Sequence, residues 1–277
     1  MKSAPFDYER AESAEAAVAT LAQLGDDARI LAGGQSLMVL LNMRLAQPKR
    51  LVDISGSAAL AKVHVERGCL HVGAAATQAG VESRPALAQE VPLLALAFPH
   101  ISHFQIRNRG TVAGSIAHAD PAAELPLCLL ALEGEVLLRR ANGRRTLSAA
   151  EFFTGMLSTA RHADEMLEAV RFPLAGLGAG HGFEEFSMRH GDFAICAIAA
   201  VADSRRLRIA VGGVADRPVA RDFPLLDGSA LSDALNELAW SLEARDEPQA
   251  SAALRRQLVR ELGRRAAGQA LASRRPV

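Results

Sequence analysis

Two stretches of this chain have residue types and spacing suited to holding a phosphorylated ligand. The first is Ala32-Gly33-Gly34-Gln35-Ser36, which follows the apolar run Arg29-Ile30-Leu31 and leads into a helix-like run from Leu37 to Leu41. A strand that breaks at two glycines and re-enters a helix leaves backbone N–H groups free, and such groups bind anions, phosphate above all. The second runs from Arg107 to Pro121, RNRGTVAGSIAHADP. There Thr111 and Ser115 offer hydroxyls, and Gly114 lets another body approach the backbone closely. Asp120 is an acceptor suited to ribose or ribityl hydroxyls. Alone, the first stretch also describes an ordinary strand-to-helix turn. It is neither G-x-G-x-x-G nor a P-loop. The second stretch turns the pair toward a nucleotide cofactor with its pyrophosphate on the first loop.

Other reactive side chains read more plainly. Cys69, Cys128 and Cys196 lie far apart among apolar residues, with no C-x-x-C pair. They read as buried core thiols, and three cysteines are too few to ligate an iron–sulfur cluster. His100 and His103 are close in sequence but have no visible third partner, so no metal site is expected. His118 reads as shaping the second stretch. Arg256, Arg260 and Arg264 recur on one face of a C-terminal helix and read as solvated surface.

The elements that would position these residues follow from periodicity and punctuation. Ala14, Ala17, Val18 and Leu21 mark a helix with Ser13 as cap and Gly25 as stop. A strand at Ala28 to Leu31, the glycine loop, a short helix capped by Ser36 and a strand at Leu51 to Ile54 complete a first unit. After Ser55-Gly56-Ser57, a hairpin turns at Arg67-Gly68, Thr77 caps a helix to about Glu82, and Pro92 starts another ending near Ile101. An apolar helix spans Ala122 to Leu132, a hairpin turns at Asn142-Gly143, Ser148 caps a helix, and a strand covers Met166 to Phe172. Pro173 to Gly182, with glycines at 176, 178, 180 and 182, reads as a linker. Three strands follow, at Phe183 to Met188, Ala194 to Ala202 and Arg206 to Val211, and then two leucine-striped helices. The expected domains are 1–175, divided near residue 55 into 1–55 and 56–175, and 176–277.

Composition narrows the functional class. The 277 residues are 49% hydrophobic, enough for a sizeable core, and 31 basic residues balance 31 acidic ones. That balance, with aromatic content of only 4%, argues against nucleic acid as a partner. No apolar run approaches the roughly 18 residues of a membrane span, and the N-terminal residues contain no signal-peptide core, so a cytoplasmic location is expected.

The segment AGGQSLMVLLNMRLAQPKRLVDIS (Ala32 to Ser55) resembles the first FAD motif of the flavoprotein subunits of molybdenum hydroxylases, the medium-subunit family of xanthine dehydrogenase and aerobic carbon monoxide dehydrogenase. RNRGTVAGSIAHADPAAELP (Arg107 to Pro126) resembles the second, and FEEFSMRHGDFAICAIAA (Phe183 to Ala200) the start of the family's C-terminal domain. The resemblance implies an α+β fold. Two subdomains of the vanillyl-alcohol-oxidase-like (PCMH) type would cradle an extended, noncovalent FAD, and a C-terminal domain of three antiparallel strands with helices would cover the flavin. It implies that Ala32, Gly33, Gly34, Gln35, Ser36 and Leu37 wrap the pyrophosphate. Thr111, Gly114, Ser115 and Ala117 would lie against the phosphates and flavin, and Asp120 would bind a sugar or ribityl hydroxyl. Asp192 and Phe193 would lie near the flavin ring, although Arg189 to Phe193 alone reads equally as a tight turn. Some relatives carry a lysine near the position of Glu185, where this chain has Glu184 and Glu185. The resemblance further implies a small partner subunit with two [2Fe–2S] clusters and a large one with a molybdopterin cofactor, arranged as a dimer of heterotrimers. Electrons would pass through FAD to NAD, a quinone or another acceptor. A stand-alone flavoprotein oxidoreductase and a non-catalytic nucleotide-binding assembly subunit are the alternatives.

Overall fold

The computed structural model describes residues 2–275. The chain begins with β1 (Asp7–Arg10), α1 (Ala14–Leu24), β2 (Ala28–Leu31), α2 (Leu37–Asn42) and β3 (Arg50–Asp53). Ser13 caps α1 by accepting from the Ala16 N–H at 3.2 Å, and Gly25, at φ +51°, ends it. The helix buries Ala14, Ala17, Val18 and Leu21, the stripe marked by their spacing. β3 lies between β1 and β2 and runs parallel to both. The loop from Ala32 to Ser36 therefore leaves the carboxyl end of a parallel strand, where open α/β sheets commonly hold ligands. β1 was not anticipated, because Asp-Tyr-Glu-Arg is a largely exposed edge strand without apolar alternation.

The next region contains β4 (Val63–Glu66), β5 (Cys69–Gly73), α3 (Gln78–Glu82), α4 (Leu87–Glu90), α5 (Pro92–Ala97), α6 (Phe104–Arg107), α7 (Val112–His118) and α8 (Glu124–Ala131). It continues through β6 (Glu135–Arg140), β7 (Gly143–Ser148), α9 (Ala149–Phe152), β8 (Phe153–Gly155), β9 (Ser158–Thr159) and β10 (Met166–Pro173). An antiparallel sheet of order β4-β5-β10-β6-β7 forms its base. Leu70, Val72, Val136, Leu138, Val170 and Phe172 are fully buried on one face of it. Ser148 and Glu151 form a reciprocal capping box at α9.

The final region contains β11 (Gly180–Ser187), β12 (Ala194–Ala202), β13 (Arg206–Gly212), β14 (Val219–Pro224), α10 (Gly228–Ser241) and α11 (Ala252–Ser273). The sheet has four antiparallel strands in chain order, not three. The additional strand, β14, has the sequence VARDFP, and its Asp222 pairs with Arg206 and Arg208, so it shows no apolar run. β12 lacks alternation because both its faces are covered. Ala197 and Ala199 join the core that includes Leu127 and Leu129 of α8, while Cys196, Ile198 and Ala200 join the core under α10 and α11.

Two readings need correction. Gly180 and Gly182 belong to β11 rather than to a linker, because α11 lies directly on this strand. An added Cβ would overlap the Ala270 carbonyl oxygen at Gly180 and the Ala266 carbonyl oxygen at Gly182. Cys128 and Cys196 are buried as expected, but Cys69 is partly exposed beside the β4–β5 turn.

Candidate functional site: a cleft between two glycine-bearing stretches

The two stretches meet backbone to backbone. At Gly33 an added Cβ would overlap the Arg109 carbonyl oxygen and lie 2.6 Å from Gly110 Cα. Glycine at 33 is thus required by the neighbouring stretch of this chain, whatever a ligand requires. Gly34, at φ +74°, takes a left-handed turn that side-chain-bearing residues rarely adopt. The turn begins early: the Met38 N–H donates to the Gly34 carbonyl at 3.0 Å. Ser36 is consequently already in helical conformation and makes no side-chain cap, contrary to expectation. Among the described residues, the backbone N–H groups of Gly33, Gly34, Gln35, Ser36 and Leu37 donate to no protein acceptor.

The second stretch is a helix where the sequence suggested only an open, small-residue run. Thr111 is buried and accepts from the Gly114 N–H at 2.9 Å, capping α7. Its hydroxyl oxygen is therefore already engaged by the protein. Thr111 also bridges Thr77, the cap of α3, in a single antiparallel pairing that ties the two helix starts together. Ala119, at φ +53°, ends α7 in the left-handed region and turns the chain toward Asp120. One Asp120 carboxylate oxygen accepts from the Ala122 N–H at 2.9 Å.

A cleft of about 500 Å³ opens between these elements. Ala32, Gly33, Gly34, Gln35, Ser36 and Leu37 line it from one side. Thr111, Gly114, Ser115, Ala117 and Asp120 line it from another, and Asp192 and Phe193 reach it from the C-terminal region. The structure thus gathers onto one cleft every residue that the family resemblance assigned to the cofactor. The turn from Arg189 to Asp192 is tight, with Arg189 Nε donating to Asp192 Oδ2 at 3.0 Å, and it leaves Phe193 62% exposed. His118 also lines the cleft. Arg256 lies over the Trp240 ring at 4.6 Å, and Arg260 donates to Asn236 at 3.0 Å, so this part of the arginine face is engaged within the chain.

Sequence reasoning missed several lining residues. Gln78 is buried, and its Oε1 has no hydrogen-bond partner although it stands at the cleft wall. Arg29 and Arg161 bring positive charge to the same space. Burial, with the neighbouring Arg29 charge, lowers the Arg161 pKa. Burial alone would raise Glu165, but the Arg145 guanidinium and the His162 N–H outweigh it and hold the carboxyl below its usual value. Their roles depend on contacts distant in sequence, and no local pattern marks them. Glu124 lines the cleft from the first turn of α8, where burial, with the Asp120 charge adding, pushes its pKa up to about 7. Burial and the Glu124 charge push Glu185 up to about 8, and Glu185 Oε2 is buried without a partner.

These features fit an extended phosphate-containing cofactor. Residues with free backbone N–H groups line the cleft, a buried amide oxygen there has no protein donor, and the walls are mixed apolar and polar. The family described as the FAD binding domain in molybdopterin dehydrogenase matches residues 4–175. The 6-hydroxypseudooxynicotine dehydrogenase complex subunit alpha of Paenarthrobacter nicotinovorans is 37% identical, across 100% of this chain and 98% of its own. The nicotine 6-hydroxylase medium subunit of the same organism is 41% identical over 87% of this chain and 88% of its own. Among solved structures, a chain of carbon monoxide dehydrogenase from Hydrogenophaga pseudoflava, in a form lacking the Mo-pyranopterin moiety, superposes with a TM-score of 0.94. It is 31% identical and covers 99% of this chain and 100% of that one.

Proposed function

The chain belongs to the FAD-binding family of molybdopterin dehydrogenases, and we propose that it is the FAD-carrying subunit of a molybdenum hydroxylase complex. In this reading a large partner subunit holds the molybdopterin cofactor and a small one holds the [2Fe–2S] clusters. The three subunits form a dimer of heterotrimers in the cytoplasm, and this chain relays electrons to an external acceptor. The relatives are themselves named as subunits of complexes. Among the described residues, no helix is long and apolar enough to cross a membrane. The three cysteines leave iron–sulfur ligation to another polypeptide.

Noncovalent FAD, when bound, supplies a centre that accepts electrons singly or in pairs. The chain supplies its seat. The free N–H groups from Gly33 to Leu37 would hold the pyrophosphate, on a loop fixed by the contact of Gly33 with the Arg109 and Gly110 backbone and by the left-handed turn at Gly34. Gly114, Ser115 and Ala117 would lie along the cofactor, and the Asp120 oxygen not held by Ala122 would accept a ribityl or ribose hydroxyl. Gln78 Oε1 would accept an N–H of the cofactor, and Asp192 and Phe193 would border its flavin end. The chain divides functionally into 1–175, with subdomains 1–55 and 56–175, and 176–277. The three-stranded and five-stranded sheets fall on either side of residue 55, and the four-stranded sheet follows residue 176.

One observation carries this reading: two stretches distant in sequence converge, glycine against backbone, on a single cleft with unpaired N–H groups. The test is direct. The purified chain or complex is expected to show flavin absorbance and to release intact FAD on denaturation. A colourless chain that also takes up no added FAD would overturn the proposal.

A further inference from the structure

We propose that the outer face of the β4–β5 hairpin binds a divalent transition-metal ion of the zinc class through His64, Glu66 and His71. In this antiparallel pair His64 stands opposite His71, and Glu66 stands opposite Cys69. Residues two apart on a strand share a face. The face carrying His64, Glu66 and His71 is therefore opposite the one that buries Leu70 and Val72. The two imidazole rings stack, with centroids 5.1 Å apart and planes 25° from parallel. His64 Nε2 lies 3.8 Å from Glu66 Oε2, and one ligand atom from each of the three residues lies within 4.8 Å of the others.

The distances suit a small adjustment. Tetrahedral zinc holds nitrogen at about 2.0–2.1 Å, which sets ligand atoms about 3.4 Å apart. The separations must close by at most about 1.4 Å, within reach of side chains changing rotamer. Two imidazoles and a carboxylate, with water in the remaining position, match zinc's mixed nitrogen and oxygen ligands, whereas calcium and magnesium prefer oxygen alone. Two cations flank the group. Arg171, opposite His71 on β10, is turned to Glu135 at 3.2 Å and Thr146 at 3.1 Å. Arg67 approaches Glu66 only to 3.7 Å from a side chain 86% exposed, and it can swing away.

The site's place in the fold gives it a role. β4 is an edge strand joined only to β5, so an ion spanning both pins the hairpin register and the sheet edge. None of the three ligands lines the cofactor cleft, which separates this proposal from the FAD reading. The test strips the FAD-loaded full chain with a chelator, dialyses it against micromolar zinc chloride, and measures zinc and flavin per chain. The wild type is expected to retain one zinc. His64→Gln and His71→Gln are expected to retain at least about tenfold less, with flavin content unchanged as evidence of intact folding. A wild-type chain that retains no zinc, or variants that both retain the wild-type amount, would overturn the assignment.

Discussion

Gly33→Ala adds one methyl group where the two cofactor-facing stretches touch. Its Cβ would lie 2.6 Å from Gly110 Cα and 2.9 Å from the Arg109 carbonyl carbon. Both are backbone atoms and cannot rotate aside. Gly110 is also held by its N–H to the Ile106 carbonyl at 2.7 Å, and its carbonyl accepts from the Gln78 N–H at 2.8 Å. Non-bonded carbons rest about 3.5 Å apart, so the loop must withdraw by about 1 Å. Overpacking of this kind costs about 1–3 kcal/mol, and rigid neighbours on both sides place it near the upper end. A 3 kcal/mol loss lowers Tm by roughly 6–12 °C for a chain of this size. The withdrawal also moves the free N–H groups off the phosphate. Losing one charge-assisted hydrogen bond, about 1.5–3 kcal/mol, weakens FAD binding by about tenfold to a hundredfold. Thermal unfolding and titration of the apo chain with FAD, followed by flavin fluorescence, give both quantities. Gly34→Ala is the control. Its φ of +74° costs about 1–2 kcal/mol, but its Cβ meets only the Leu31 and Met38 side chains, at 3.2 and 3.4 Å. If Gly33→Ala matched the wild type in both Tm and FAD affinity, the backbone contact could not be what fixes the loop.

Thr111→Val removes the cap on α7 and is expected to cost about 1 kcal/mol in urea unfolding, with weaker FAD binding because α7 carries Ser115 and leads to Asp120. Unchanged stability would show that the hydroxyl contributes nothing to the helix start. For Glu185, pushed up to about 8 by burial and by the Glu124 charge, the neutral acid is favoured in the folded state. This contribution to stability is fully present below the ordinary carboxyl value of 4.5 and is lost as pH rises toward about 8. Glu185→Gln should therefore be more stable than the wild type at alkaline pH, by on the order of 2 kcal/mol after discounting residual solvent contact, and similar to it in acid. Equal pH slopes in Tm for the two apo chains would refute this.

The sequence revealed most where chemistry and local geometry coincide. Gly25 as a helix stop, the Arg67-Gly68 turn, and the caps Ser13, Thr77 and Ser148 need only neighbouring residues, and each stands where expected, while the second hairpin turns one residue earlier than expected, at Ala141-Asn142, with Gly143 already paired to Arg140. The cleft residues were legible because two motifs carried them, although their convergence is a tertiary fact. Ser36 misled because a cap-forming residue type says nothing of a turn begun two residues earlier at Gly34. β14 was hidden because, although Val219 and Phe223 pack on the core under α10 and α11, Arg221 and Asp222 between them interrupt the apolar pattern. Gln78, Arg161 and the His64–His71 pair acquire meaning only through contacts that strand register and helix docking create.

The direct seating of α11 on β11 has a consequence for synthesis. Ribosomes release the strands from Gly180 to Pro224 before Ala252–Ser273 emerges. During that interval Ile198, Leu207 and Ile209 of the sheet lack the helix that later covers them. A pause between β14 and α11 therefore lengthens the exposure of an apolar sheet. Rare codons there should favour aggregation through this sheet, whereas the same pause placed before β11 leaves the sheet unmade and exposes instead the α8 face of Leu127 and Leu129.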